Sequence, residues 1–532
     1  ELQQGNVVFI EDCLCQVGAP LGMGSFGAVW AADLVGGPKA AIKEIHCDSH
    51  ADLCNALFEG HLLMLFRKTA ADPDSASNVA DDAEFEGLPA SCLSRVPSLV
   101  ASDTLELKPQ QLWRVRLAMT HINGEPLDSY MERCRVSRLR KYASKRPTLP
   151  QLRQDVAQAA YVTRELLVQL APAFEHISSV ALHRDVNAHN ILIDNENDGP
   201  PSFGLVDFGL AVDETCWRME ESESSSPARP SRVGQDGVCT WHHLDVGGDC
   251  RYWPISAWLQ FLYGCTELAL HATLCHEYLN RLDLHSLGVT ALQLFVEMLP
   301  QMGPNDDSKT HCFGDGAATS SAWPKKIAAL QCAWREYWDT VSPLHGALMS
   351  TFHNGGDWDA LKRDCIDHNV KSTIQELLVN LRGATDEAGE SCKHDMSLCG
   401  FRELCDALRL MIGCGRDDDD CADTTASGPQ NWRRISRTLG KGAKKLLDGV
   451  TPPPAPGPRF GTSAASTAST PGCGTLSSPR SQGASHSVGS VEERAAGLPS
   501  YPERSGVGHD QEARSHNGAP CGRSRTASDA SE

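Results

Sequence analysis

"ALHRDVNAHNILI", residues 181–193, sets His183-Arg184-Asp185 ahead of Asn190, with Asp185 five residues before it, between two short apolar runs. A carboxylate at Asp185 can orient a hydroxyl nucleophile and accept its proton, and an amide oxygen at Asn190 can bind a metal ion. Farther along, "LVDFGLA" gives Asp207-Phe208-Gly209, with Asp207 22 residues after Asp185. Its carboxylate suits a hard divalent cation. Still farther, "LDLHSLGVTAL" puts Asp283 at the start of an apolar helical pattern. Two readings of Asp283 stand: an acceptor for backbone amides of the 181–193 loop, or a plain helix N-cap.

Upstream, "LGMGSFGAVW" spaces Gly22, Gly24 and Gly27 ahead of Val29, between two strand-like runs. Glycines at these positions let a hairpin backbone approach phosphates closely, and Val29 can lay an apolar side chain on a base. A dinucleotide fingerprint would instead lead from a strand into a helix. "AAIK" follows, with Ala41 suited to line an adenine pocket and Lys43 to meet α- and β-phosphates. Glu59, on the helical stretch after it, is placed by spacing either to hold Lys43 or to stand in solvent. Met119, Thr120, His121 and Ile122 end a strand as a hinge would, offering backbone groups to adenine, and Asp128 reads as a ribose contact or as a cap or surface residue.

Taken in order, these residues resemble the eukaryotic protein kinase superfamily over residues 7–413. The resemblance implies an α+β, two-lobed protein kinase fold: a small β-rich N-lobe (7–122), a larger α-helical C-lobe (123–413) and an inserted activation segment (207–267). It implies ATP and Mg²⁺ as cofactors and transfer of the γ-phosphate to Ser/Thr hydroxyls of a protein substrate. Lys43 and Glu59 would position ATP, Asp185 would be the catalytic base, and Asn190 and Asp207 would be the metal ligands. Arg184 resembles the arginine through which a phosphorylated activation segment organises the loop.

Two features depart from the family pattern. Ser/Thr members carry Lys two residues after the base, and Tyr members carry Ala there with Arg two positions later; this chain has Asn187, Ala188 and His189. Loss of that Lys removes charge that would neutralise the moving phosphoryl group, so chemistry should slow. The activation segment also lacks a clean Ala-Pro-Glu. "GGDCRYWPISAW" matches through Gly248 and Tyr252, Asp249 stands where a Thr would contact the base, and Glu267 is one candidate for the missing carboxylate. A pseudokinase scaffold that binds nucleotide or partners without transfer is the rival reading, and a kinase-fold small-molecule phosphotransferase a third.

The chain has 532 residues, with a formal net charge of −20 that argues against general nucleic-acid binding. Its 21 cysteines are scattered, without paired CxxC units, as in a reduced, intracellular, cytoplasmic chain. No run of about 18 apolar residues suggests a transmembrane helix. The chain starts at Glu1, as in a fragment or processed form whose true N-terminus is out of view. Leu53, Leu57, Leu62 and Leu65 recur at near-helical spacing, an acidic insertion spans 70–87, and 213–247 is Ser-, Pro- and Glu-rich loop chemistry with Ser222, Ser224, Ser225 and Ser226 as phosphorylation candidates. Cys239, His242, His243, Cys250, His271, Cys275 and His276 carry metal-ligand chemistry at a spacing that fits no familiar zinc module. Residues 414–532 read as an acidic and basic linker and a disordered Ser/Pro/Gly-rich tail. Within them, 431–449 is either an amphipathic helix that docks on a membrane, a partner or the domain itself, or a solvated linker; "RRIS" at Ser436 and the stretch near Ser528 look like basophilic phosphorylation sites.

Overall fold

A computed structural model describes residues 1–24, 27–71, 93–107, 112–195, 199–218, 241–302, 323–393, 395, 398–413 and 427–440. The acidic insertion from residue 72 onward, Ser222 to Ser226, Cys239 and the 451–532 tail lie outside them.

The strand-like runs near the N-terminus become β1 (Val7–Ile10), β2 (Cys13–Gly24), β3 (Gly27–Leu34) and β4 (Lys39–Cys47); β5 (Leu99–Leu107) and β6 (Leu112–Thr120) follow. They form a six-stranded antiparallel sheet in the order β1-β2-β3-β4-β6-β5. β4 is central, and its Ala40 to Ile45 are all buried, as a strand covered on both faces demands. Helix α1 (His50–Ala71) packs on β4, β5 and β6. Its inward face is Leu62, Leu63 and Phe66, whereas Leu57 is exposed, a phase that the leucine spacing alone does not fix. The chain is thus mixed α+β, with a β-rich N-terminal part and a helical remainder.

That remainder begins with α2 (Leu127–Lys141) and α3 (Leu149–Ile177). Gln151 starts α3 by accepting the Thr148 amide at 2.9 Å. The helix Leu282–Glu297 is buried along almost its whole length and packs on α2, α3 and the helix Phe401–Met411. Short strands flank these helices: β8 (Ala181–Leu182) pairs with β11 (Val212–Asp213), and β9 (Ile191–Asp194) lies between β10 (Ser202–Leu205) and β7 (Glu125–Pro126), the strand just before α2. The β9–β10 register, Ile191 opposite Leu205, sets the residues just outside it side by side; the Val206 amide donates to the Asn190 carbonyl at 2.9 Å.

Two sequence expectations change. The linker assignment for 414–449 is corrected for Gly428–Gly440, which is a helix packed on α3. Trp432 stacks on Phe174 with ring centroids 4.7 Å apart and planes 13° apart, Ile435 and Leu439 are buried, and Arg164 Nη2 donates to the Leu439 carbonyl at 3.0 Å. Of the docking modes weighed for 431–449, the described residues show the one onto the domain itself, and 441–449 lie outside them. The loop assignment from 213 is corrected at its start: Asp213 caps a short helix, Glu214–Trp217, by accepting the Cys216 amide at 3.0 Å, and Trp217 is fully buried.

Among the described residues no helix is long and apolar enough to cross a membrane. The Trp432–Phe174 stack yields the first prediction. Trp432→Ala should cost about 3 kcal/mol, the scale of truncating a buried aromatic, read as a lower denaturant midpoint with hydrogen exchange raised across 428–440; an unchanged midpoint would rule out this docking.

Candidate active site

Each strand and turn delivers one group. At the β2–β3 hairpin Gly24 faces Gly27 and Gly22 faces Val29, with Ser25 and Phe26 outside the described residues. Gly27 has φ +148°, and a Cβ there would lie 2.0 Å from the Glu44 carbonyl oxygen, so only glycine fits. In the sheet, Val29 pairs with Lys43, and Ala41 pairs with Met119 on β6. Val29, Ala41 and Met119 therefore line neighbouring strands next to the lysine. Thr120 exchanges backbone and side-chain bonds with Ser98 at 2.9 Å, which anchors the strand end before Ile122. Ile122 in turn packs so closely on Gly204 that a Cβ there would meet its Cγ2 at 2.3 Å.

Lys43 is 4% exposed and Glu59 3%. The Lys43 ammonium lies 2.8 and 2.9 Å from the Glu59 oxygens and 2.7 Å from Asp207 Oδ1. Of the two sequence readings of Glu59, the structure places the side chain on the lysine. Burial works to lower the Lys43 pKa, but the Glu59 and Asp207 carboxylates outweigh it and hold the ammonium above its ordinary value. Burial raises Glu59 despite Lys43, while Asp207, more open, is kept below the usual carboxylate range because Lys43 overcomes its desolvation.

Opposite stands the 181–193 loop. Asp283 is buried and accepts the amides of His183 and Arg184, each at 2.8 Å, and burial raises its pKa. The N-cap of its helix is Arg281, so the cap reading of Asp283 does not hold. The His183 ring is buried against Phe208, centroids 4.7 Å apart, and Phe208 meets Phe66 of α1 at 5.1 Å. Arg184 and Asp207, neither of them glycine, have φ of +66° and +64°. Such backbone costs on the order of 1–3 kcal/mol each and persists only where surroundings enforce it.

Asp185 accepts from Asn187 Nδ2 at 2.9 Å and the Asp249 amide at 3.1 Å on Oδ1, and from Asn190 Nδ2 at 2.9 Å on Oδ2. Burial nevertheless raises its pKa, with the Asp207 and Asp249 carboxylates adding to the effect. Asn187, in the place of the expected lysine, is folded inward: its Oδ1 accepts the amides of His189 at 2.8 Å and Asn190 at 3.1 Å. His189 points outward and meets Asp128 Oδ2 at 3.4 Å, a bond that raises the imidazole pKa. Asp128 also accepts the Ser129 amide at 2.6 Å, so it serves the loop and its own helix start.

A divalent cation fits the donor set. Asp207 is held ionised, and both hydrogen bonds from the Asn190 side chain use the amide nitrogen, which leaves its oxygen as a hard ligand. The scattered Cys and His residues do not converge: among the described residues no group of three or more His, Cys, Asp or Glu could hold a metal.

The segment after the insertion seats firmly. Tyr252 donates to Gln293 at 2.7 Å, and Asp249 turns its carboxylate to Arg251 at 2.5 Å and to His345 at 3.6 Å while its amide serves Asp185. Glu267 does not supply the missing carboxylate, because it lies on a short surface helix beside His271. Buried Glu277 is better placed, accepting the Ser256 amide at 3.1 Å just past Pro254. No local motif signals Glu277, Trp217 or Phe66; their burial depends on distant partners.

Residues 55–214 match the model of the phosphotransferase enzyme family, APH. The match contains Glu59, Asp185, Asn190 and Asp207 and stops short of the glycine hairpin, Lys43 and everything past 214. It supports a relationship to kinase-like phosphotransferases without singling out the eukaryotic protein kinases. No curated protein matches the chain.

The Asp283 bridge predicts that Asp283→Ala strands two buried amides and destabilises the domain by about 2–4 kcal/mol in chemical denaturation, with exchange raised first at 183–185. Asp283→Asn, which keeps one acceptor oxygen, should cost roughly half as much.

Proposed function

We propose that the chain is an ATP-dependent phosphotransferase whose acceptor is a Ser or Thr hydroxyl of a protein substrate. The observation that carries this reading is the buried Lys43 ammonium shared by Glu59 and Asp207, with the Asp185 carboxylate held by Asn187 and Asn190 on the adjoining loop. The phosphotransferase match over 55–214 supports the transfer.

In this account Val29, Ala41 and Met119 enclose the adenine, and backbone groups of Thr120 to Ile122 recognise its edge. Gly22, Gly24 and Gly27 let the hairpin close over the phosphates, and Lys43, fixed by Glu59, holds the α- and β-phosphates. Asp207 and Asn190 would hold Mg²⁺, which would supply positive charge to offset that of the phosphates. Asp185 orients the acceptor hydroxyl and takes its proton at an Oδ atom as the acceptor oxygen bonds to the γ-phosphorus and the bond from that phosphorus to the β–γ bridging oxygen breaks, with ADP leaving. Asn187 cannot neutralise the moving phosphoryl group as a lysine would, but its two-sided bonding fixes Asp185 and Asn190 relative to each other. A small-molecule hydroxyl acceptor is the second reading, favoured by the family match.

The full chain, incubated with γ-labelled ATP and Mg²⁺, should label Ser or Thr of a basic protein, and Asp207→Asn should reduce labelling by about two orders of magnitude, the scale of removing a preorganised charge-stabilising group. Label found only on a panel of small alcohols would transfer the assignment to the second reading, and folded, nucleotide-binding protein that labels neither would sink both. Because burial lifts the Asp185 pKa, the proton-accepting form is lost as pH falls through a value above the ordinary aspartate pKa of about 3.9, so the acid limb of kcat/KM should lie above that value. Asn187→Ala removes a donor to the ionised form and should move that limb higher still.

A further inference from the structure

Arg184 resembles an arginine that would receive a phosphate from the activation segment, yet its half-buried guanidinium already has partners. Nη2 donates to the Asp245 carbonyl at 2.6 Å, Nη1 reaches the Leu210 carbonyl at 3.5 Å, and Cζ lies 5.1 Å from the centroid of the Trp217 ring. Carbonyl dipoles and an aromatic face can satisfy a delocalised, weakly hydrated cation.

These partners are themselves braced. Trp217 is fully buried and packs on Tyr278 at 5.3 Å, and its carbonyl accepts the Trp241 amide at 3.3 Å, which joins the two described ends of the inserted segment. The Glu214 amide donates to the Val180 carbonyl, tying the short helix that carries Trp217 to the strand entering the catalytic loop. On the other side of Arg184, Gly247 lies so close that a Cβ there would sit 3.3 Å from Nη2. Gly248, at φ +81°, would place a Cβ 2.5 Å from the Arg184 carbonyl and 2.9 Å from Asp185 Oδ1. The next residue, Asp249, gives its amide to Asp185. Trp217, Arg184, Gly247–Asp249 and Asp185 therefore form one continuous packed path.

We propose, resting on the phosphotransfer reading above, that Trp217 is a positioning residue: its ring takes the place of a phosphate as the group that seats Arg184, so that Gly247–Asp249 stays on Asp185 without phosphorylation between 219 and 240. Loss of the ring frees the guanidinium, loosens 247–249 and lets Asp185 leave its productive orientation. Nucleotide contacts, carried by the hairpin and Lys43, are untouched. The signature is a fall in kcat with little change in KM for ATP.

The test uses the full chain after phosphatase treatment, with loss of phosphate from 219–240 verified by mass, alongside Trp217→Phe and Trp217→Leu. Wild type without phosphate should keep kcat within about twofold; Trp217→Leu should lose about tenfold in kcat at nearly constant KM for ATP and lose exchange protection over 245–252. Trp217→Phe, which restores an aromatic face in less volume, should recover most of both. Collapse of kcat on dephosphorylation, or Trp217→Leu with 245–252 as protected as in wild type, would overturn the proposal. If folded wild type transfers no phosphate under any condition, the functional reading fails on its own, and the exchange at 245–252 in the two variants still decides whether Trp217 seats this segment.

Discussion

The site turns on one buried ammonium. Lys43 emerges from the central strand of the sheet and has to find anions there, since a lysine almost without solvent contact is tolerated only when paired. It takes one carboxylate from α1 and one from the turn after β10, and so ties three elements that are distant in sequence to one atom. Removing a partner from such a buried set costs about 3–5 kcal/mol, because the charge left behind is uncompensated. The same arithmetic explains why the carboxylates behave differently. Glu59, fully enclosed, is pushed toward its neutral form, while Asp207, at the open end, is held as an anion by Lys43.

The second constraint lies in the backbone. Arg184 and Asp207 both adopt left-handed conformations that side chains disfavour, and each is held there by bonds beyond its own neighbours. Asp283 grips the consecutive amides of His183 and Arg184, His183 packs on Phe208, and Phe208 leans on α1. Strain in the loop is thus offset by the core helix beneath it and by the helix that presents Glu59. Chemistry-bearing groups gain orientation from these supports, since Asp185 and Asn190 sit on the segment they pin.

Much of this was legible in the sequence for a physical reason. Lys43 sits in the middle of a strand, and Asp185, Asn190 and Asp207 in short loops beside strands, where local spacing nearly dictates position; the five-residue step from Asp185 to Asn190 is enough to close the bonds seen between them. Glu59 was legible as one of two readings, because helical phase is weakly marked in α1, as the exposed Leu57 shows. What stayed hidden depends on contacts between remote segments. Trp217 stands in a run whose composition signals a loop, and its burial comes from Arg184 and Tyr278. Glu277 is buried where its helix meets the segment after Pro254, and it accepts the Ser256 amide there. The stretch from 431 follows an acidic run and leaves two readings open, a docking amphipathic helix or a solvated linker; in the helix Gly428–Gly440, Trp432 stacks on Phe174 of α3.

If Lys43 is the joint on which nucleotide binding depends, neutralising it must weaken that binding without unfolding the domain, because Glu59, already raised by burial, can take up a proton when its partner is gone. The most direct measurement is equilibrium binding of Mg²⁺–ATP to the full chain and to Lys43→Met, with folding checked by circular dichroism. The account predicts a loss of at least about tenfold in affinity for a variant that remains folded, the scale of one lost charge-assisted contact. Equal affinity in a folded Lys43→Met would contradict it.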